Sequence, residues 1–296
     1  MDGVALVTVH GMGRTQPDYA AELIEAVRGR LPEATRAVLH VGSVFYQREL
    51  QVNEEALWAA CTAQASLHWD GLREFMLFNF ADAVGLEAGK DEPDSSYFET
   101  QLQIVQTLLQ AWDELGGPAP LVAAAHSLGG QVLSCYLYDA QRAQRARAIG
   151  STTTLPPAGV WRDIRASVAE GLGRELSDEQ IAFLRGATLR TLVTTGCNIP
   201  IFVAAHNRMR IRPIDKPNPQ FEWHNFFSPN DVLGWPLGPL SEDYRLLVSD
   251  HRVTVGSLAT AWNPLSHHAY WGDRAVCDAI ARSLDRARLP ASAKVQ

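Results

Sequence analysis

The chain has 296 residues, 46% hydrophobic and 20% charged, with a formal net charge of −7. That composition supports a packed core and excludes a disordered chain. The acidic surplus argues against nucleic-acid binding, which needs clustered Lys and Arg.

Val4 to Val9 is a β-branched run ending at a glycine-rich turn and reads as a buried strand. Pro17 opens a helix with Leu23, Ile24, Val27 and Leu31 on one face, and a second strand spans Ala37 to Tyr46. Residues 53–80 read as one long helix turning Leu57, Trp58, Cys61, Leu72, Phe75 and Met76 to the core. Residues 85–96 form a loop. A helix over Tyr97 to Leu115 stops at Gly116-Gly117-Pro118. Leu121 to Ala125 is a wholly apolar strand, as suits the centre of a parallel sheet. The following helix carries Val132, Leu133, Tyr136 and Leu137 and ends in the basic cluster Arg142 to Arg147, read as its solvated end.

Residues 150–187 are irregular, contain a capping-box pattern at Ser177-Asp178-Glu179-Gln180, and are expected as an inserted helical cap. Strands recur near Thr188 to Thr195, Trp223 to Phe227 and Arg252 to Val255, and a last helix runs from Asp273 to Arg288. Alternating strands and helices predict one α/β domain over residues 1–296: a mostly parallel central sheet with helices on both faces. Chemistry in such sheets gathers at the carboxyl ends of the strands.

The segment Leu121 to Gly130 has strand, sharp turn and helix in sequence, with Ser127 at the turn in Ala125-His126-Ser127-Leu128-Gly129. A nucleophile elbow needs small flanking residues because the strained turn brings backbone close, and Ala125 and Gly129 supply them. Ala125 departs from the full Gly-x-Ser-x-Gly pattern by one methyl group. The turn would aim the Leu128 amide at a developing oxyanion. The bland reading is a small residue in a tight turn.

After the first strand comes His10-Gly11-Met12-Gly13. With this run the chain resembles the lipases and esterases of the α/β-hydrolase superfamily, within which small lipases with Ala at the position of Ala125 are familiar. The resemblance implies the α/β-hydrolase fold, with the Met12 amide as second oxyanion donor and His10 as a structural anchor of the loop. Arg14 is the solvated neighbour, or a substrate contact. The base should come last in chain order, before the final helix. The run Ser266-His267-His268-Ala269-Tyr270-Trp271 resembles the His loop of bacterial lipase-like hydrolases, which implies His267 as base and His268 as its alternative. The acid should follow an earlier strand. Asp231, 36 residues before His267, fits that place, with Asp215, Asp243 and Asp250 as alternatives.

These residues together point to a serine hydrolase that cleaves a carboxylic ester through an acyl-enzyme, without cofactor or metal. Thioester or amide hydrolysis would use the same triad. A catalytically silent binding module and a metal-dependent hydrolase built on His267 and His268 are the rivals. Trp262 and Trp271 flank the His loop and suggest a small-molecule substrate with an apolar group. Cys61, Cys135, Cys197 and Cys277 have no ligand spacing and read as free buried thiols. No basic leader precedes Val4, and no window holds the ~18 apolar residues of a membrane span, Thr191 to Ala205 coming closest. The expected location is the cytoplasm.

Overall fold

The computed structural model describes residues 3–46, 48–65, 67–88, 95–205, 211–256 and 264–289. In chain order its elements are β1 (Val4–Val9), α1 (Ala21–Arg28), α2 (Glu33–Arg36), β2 (Leu39–Val44), α3 (Arg48–Gln64), α4 (Asp70–Ala88) and α5 (Ser96–Leu115). Then follow β3 (Leu121–His126), α6 (Leu128–Ala148), α7 (Ile164–Leu172), α8 (Asp178–Leu184), β4 (Leu189–Thr195) and α9 (Ile199–Ala204). The chain closes with β5 (Glu222–Phe227), α10 (Glu242–Leu247), β6 (Val248–Arg252), a 3-10 segment Pro264–Gly272 and α11 (Arg274–Arg288).

The six strands form one parallel sheet in the order β2-β1-β3-β4-β5-β6. From β1 the chain steps outward to β2, then returns to the other side of β1 to lay down β3. The strand order therefore reverses at the β1/β3 pair, and loops leaving the carboxyl ends there diverge and open a crevice.

Strand alternation builds two cores. Val4 and Leu6 of β1 and Val122 and Ala124 of β3 pack with Leu23 and Val27 of α1 and Val276, Ile280 and Leu284 of α11. Their neighbours Ala5, Val7, Val9, Ala123 and Ala125 turn the other way, against α5 and α6. Each Leu or Ile sealed there contributes about 1.5–3 kcal/mol. This rigid centre fixes the carboxyl ends of β1 and β3.

Residues 150–187, expected as a cap, form the crossover from β3 to β4. Trp161, Ile164, Val168, Phe183 and Leu184 are buried in the same core as α5 and α6. Ser177 and Gln180 cap α8 reciprocally, and Arg174 grips Asp113 of α5 with its two terminal guanidinium nitrogens.

Three expectations need correction. The single helix over 53–80 is two helices, α3 and α4, broken where Trp69 takes a φ of 66°. Leu57, Cys61, Leu72 and Met76, expected in the core, are exposed there, and Trp58 and Phe75 are half-buried. The face of α4 turned inward carries Phe78, Asn79, Asp82 and Leu86 instead. The strand expected at Arg252 to Val255 is displaced to Val248–Arg252, so Asp250 lies within it. Of the cysteines, Cys197 and Cys277 are free and buried, whereas Cys61 is free and exposed and Cys135 half-buried. Among the described residues no helix is long and apolar enough to cross a membrane.

Candidate functional site

Ser127 stands between β3 and α6 with φ 52° and ψ −121°. Such a conformation in a non-glycine residue costs on the order of 1–3 kcal/mol and persists only where its surroundings impose it. Here they do. The Ser127 amide donates to the Thr195 carbonyl at the end of β4, 2.8 Å away. On the other side α6 is pressed against the end of β1, so closely that a Cβ on Gly129 would run into the Val9 and His10 carbonyls. Only glycine permits that approach. Leu128 is the first residue of α6 and fully buried; its N–H belongs to the first turn, whose amides have no intrahelical acceptor.

The loop after β1 reaches the same point. A Cβ on Gly11 would lie 2.8 Å from the Ser127 Cβ, which places the loop's backbone directly on the elbow. Met12 is half-buried and packs on the core. His10 is 3% exposed and stacked on Tyr46, ring centroids 4.2 Å apart and ring planes nearly parallel. Its Nδ1 donates to the Gly11 carbonyl at 2.7 Å, and its Nε2 accepts from the Tyr46 amide at 3.3 Å. Tyr46 returns its hydroxyl to the His10 carbonyl. Burial lowers the His10 pKa to about 4, against the opposing pull of the Gly11 carbonyl. A neutral ring with both nitrogens engaged anchors a loop; it has no lone pair to offer a substrate.

His267 and Asp231 meet across the carboxyl ends of the strands. His267 Nδ1 donates to Asp231 Oδ2 at 2.8 Å, and both side chains are essentially inaccessible. Burial would raise the Asp231 carboxyl, but hydrogen bonding and charge from His267, the Leu233 amide and the Tyr270 hydroxyl outweigh it and hold the carboxyl below its ordinary range. Because Nδ1 is committed to the carboxylate, Nε2 is the nitrogen left to accept a proton. His267 Nε2 and Ser127 Oγ are both buried, and among the described residues neither has a hydrogen-bond partner.

His126 lies between these parts. Its ring is 4.7 Å from that of His267, and its Nδ1 is 3.1 Å from Thr195 Oγ1, which also accepts from Trp271 Nε1. Burial, then the neighbouring His267 and His268, push its pKa far down, so it stays neutral. His268 is exposed, 5.8 Å from His267 by ring centroid; the contact to Asp231 belongs to His267.

The alternative acids lie elsewhere. Asp215 pairs with exposed Arg145, Asp243 sits on α10, and Asp250 holds Asn225 and the Leu237 and Gly238 amides in a turn. Arg14 bridges to Glu55 and Glu74 of α3 and α4. Trp271 is half-buried in contact with Tyr19 and Thr195, and Trp262 falls outside the described residues. Among the described residues no three His, Cys, Asp or Glu side chains converge as a metal site would require.

Two side chains that touch these parts carry no role in the sequence analysis. Tyr270 stands within the His-loop run, and its hydroxyl touches Asp231. Asp82, whose carboxylate accepts the Gly13 amide at 2.7 Å, lies in a helix with no local motif; a carboxylate amid an apolar stretch was its only signal. The chain matches no protein-family model, no curated protein and no solved structure, so the functional reading rests on the site's own geometry.

Proposed function

We propose that this protein is a serine hydrolase of the α/β-hydrolase type that cleaves a carboxylic ester through an acyl-enzyme. The observation that carries the reading is the buried His267–Asp231 pair at 2.8 Å, with His267 Nε2 uncommitted, at the strand ends that also hold the strained Ser127. In this reading His267 Nε2 takes the Ser127 proton as Oγ attacks the ester carbonyl. Asp231 fixes the imidazole tautomer and stabilises the imidazolium. The amides of Met12 and Leu128 receive the negative charge that develops on the carbonyl oxygen. The imidazolium then protonates the leaving alkoxide, and water repeats the sequence on the acyl-enzyme. Chain order Ser127, Asp231, His267 agrees with the order in this superfamily.

An apolar acyl or alcohol group is favoured by the α3–α4 pair beside the Gly13 loop. Its outer side exposes Leu57, Trp69, Leu72 and Met76, which line a cleft of about 500 Å³, and further along α4 it exposes Phe80 and Val84. The test is a panel of nitrophenyl esters of increasing chain length, with fluorophosphonate labelling of wild type and Ser127→Ala. Labelling and turnover in wild type, both lost in Ser127→Ala, support the reading; turnover surviving in Ser127→Ala overturns the nucleophile.

One observation favours a second reading, a hydrolase-fold binding module. Ser127 and His267 are each 1% exposed and share no hydrogen bond in this arrangement. A wild type that neither labels nor hydrolyses any ester of the panel would select it.

A further inference from the structure

The loop that would carry the Met12 oxyanion donor is held from outside by α3 and α4. The Thr15 amide donates to Gln51 Oε1 of α3 at 2.9 Å. Arg14 bridges to Glu74 of α4 at 2.8 Å and lies 4.6 Å over the Phe78 ring. The contact nearest the elbow is also the most buried: Gly13, with φ 97°, gives its N–H to Asp82 Oδ2. Asp82 is 1% exposed, and its carboxyl contacts that of Glu54, itself 5% exposed.

A carboxylate at this depth is costly unless paired and hydrogen-bonded. The sequence spends two on one spot, one from each helix. We propose, resting on the hydrolase reading, that Asp82 is a positioning residue for the oxyanion loop: the Glu54–Asp82 carboxyl pair latches the Gly13 N–H and thereby fixes the direction of the adjoining Met12 amide.

The chemistry of the pair follows from proton count. Two carboxyls hydrogen-bond to each other only when one carries a proton. Burial first, then the charge of Glu55, push the Glu54 carboxyl up, and its hydrogen bond with Asp82 opposes that rise, so the proton belongs to the pair. The pair then holds a single negative charge. Among the groups acting on it are the Gly13 amide, Glu55 from α3, which Arg14 bridges, and Tyr46, whose hydroxyl is committed to the His10 carbonyl; Asn79 from α4 lies beside Gly13. Loss of the shared proton would set two like charges against each other beside the Gly13 amide. It would also place a second negative charge near the site where an oxyanion must form.

The experiment compares wild type, Asp82→Ala, Asp82→Asn and Glu54→Gln in ester hydrolysis over pH, with amide hydrogen exchange read at Gly13. Asp82→Ala should lower kcat by about 10- to 100-fold, a fraction of what a lost oxyanion donor costs, leave KM within a few-fold, and speed Gly13 exchange. Asp82→Asn keeps an acceptor oxygen and should recover most of the kcat and the protection. Glu54→Gln should remove the fall in kcat that accompanies loss of the pair's shared proton as pH rises. If Asp82→Ala does not fold, Asp82→Asn and Glu54→Gln carry the test: faster Gly13 exchange in the Asn variant, or a Gln variant with the wild-type pH profile, overturns the latch. A wild type that labels with fluorophosphonate while Asp82→Ala keeps its kcat overturns the latch alone. A wild type that neither labels nor turns over removes the hydrolase reading, and the positioning role with it.

Discussion

Tyr270 donates its hydroxyl to Asp231 Oδ2 at 2.9 Å, the same oxygen that holds His267 at 2.8 Å. The hydroxyl also accepts the Ser228 amide at 2.8 Å, so Tyr270 ties the loop after β5 to the segment before α11. Tyr270→Phe would leave a buried carboxylate short of a donor and a buried amide without its acceptor. Each such loss costs about 1–3 kcal/mol. The expected result is a urea midpoint lowered by that order, and a kcat reduced far less than by loss of Asp231, because the His267 contact survives. A variant as stable as wild type would show that the hydroxyl is not part of the support.

Asp231→Asn should preserve the fold and lower kcat by about 10⁴, the size of effect seen when the third member of such a triad becomes an amide and the imidazole takes the wrong tautomer. Nitrophenyl ester turnover with circular dichroism checks it; a loss under ten-fold would remove Asp231 from the role of orienting acid. The acid side of stability moves with it. Since the Asp231 carboxyl is held below its ordinary range, its contribution is full above the unfolded carboxylate pKa and is lost as pH falls through the lowered folded value. The Asn variant should therefore lose less stability on acidification than wild type.

Much of this arrangement was legible in the sequence because it depends on local chemistry at strand ends. The run Leu121 to Gly130 specifies strand, elbow and helix through residues that touch one another, and Gly129 reveals a backbone approach that no larger residue survives. The outer pieces were not legible. For α3 and α4, periodicity suggested a continuous apolar face, but the break near Trp69 re-aims each helix, and the buried face is chosen by tertiary partners. Asn79 and Asp82 go inside because Gly13 lies there, 66 residues or more away in the chain. Leu72 and Met76 stay out because nothing among the described residues covers them. The β6 displacement has the same origin: Asp250 is drawn into an edge strand by the Leu237 and Gly238 amides, partners invisible in its own neighbourhood.

The elbow makes a prediction that separates stability from activity. Ser127 holds φ 52° and ψ −121° at a cost of order 1–3 kcal/mol, which glycine does not incur. Ser127→Gly should abolish ester hydrolysis while raising unfolding stability by about 1 kcal/mol, the relieved strain less the extra backbone entropy of glycine in the unfolded chain. Urea denaturation of the two proteins decides it. A Gly variant less stable than wild type would mean that the Ser127 side chain contributes more to the fold than its backbone strain removes.

His10 offers the clearest test of how the loop after β1 is anchored. Its ring is neutral and buried, with a pKa lowered to about 4 by burial, against 6.5 in an unfolded chain. Above pH 6.5 neither state binds a proton, and His10 adds no pH dependence. Between 6.5 and 4 the unfolded chain takes up a proton that the folded protein refuses, so stability falls as pH falls, by up to about 1.4 kcal/mol per pH unit from this residue. His10→Gln keeps hydrogen-bonding capacity but cannot titrate. Its stability should exceed the trend of wild type progressively between pH 6.5 and 4, and the two curves should run parallel above 6.5. Parallel curves over the whole range would mean that the folded protein accepts the proton, and that the stacked contact with Tyr46 is loose enough to admit a charged ring.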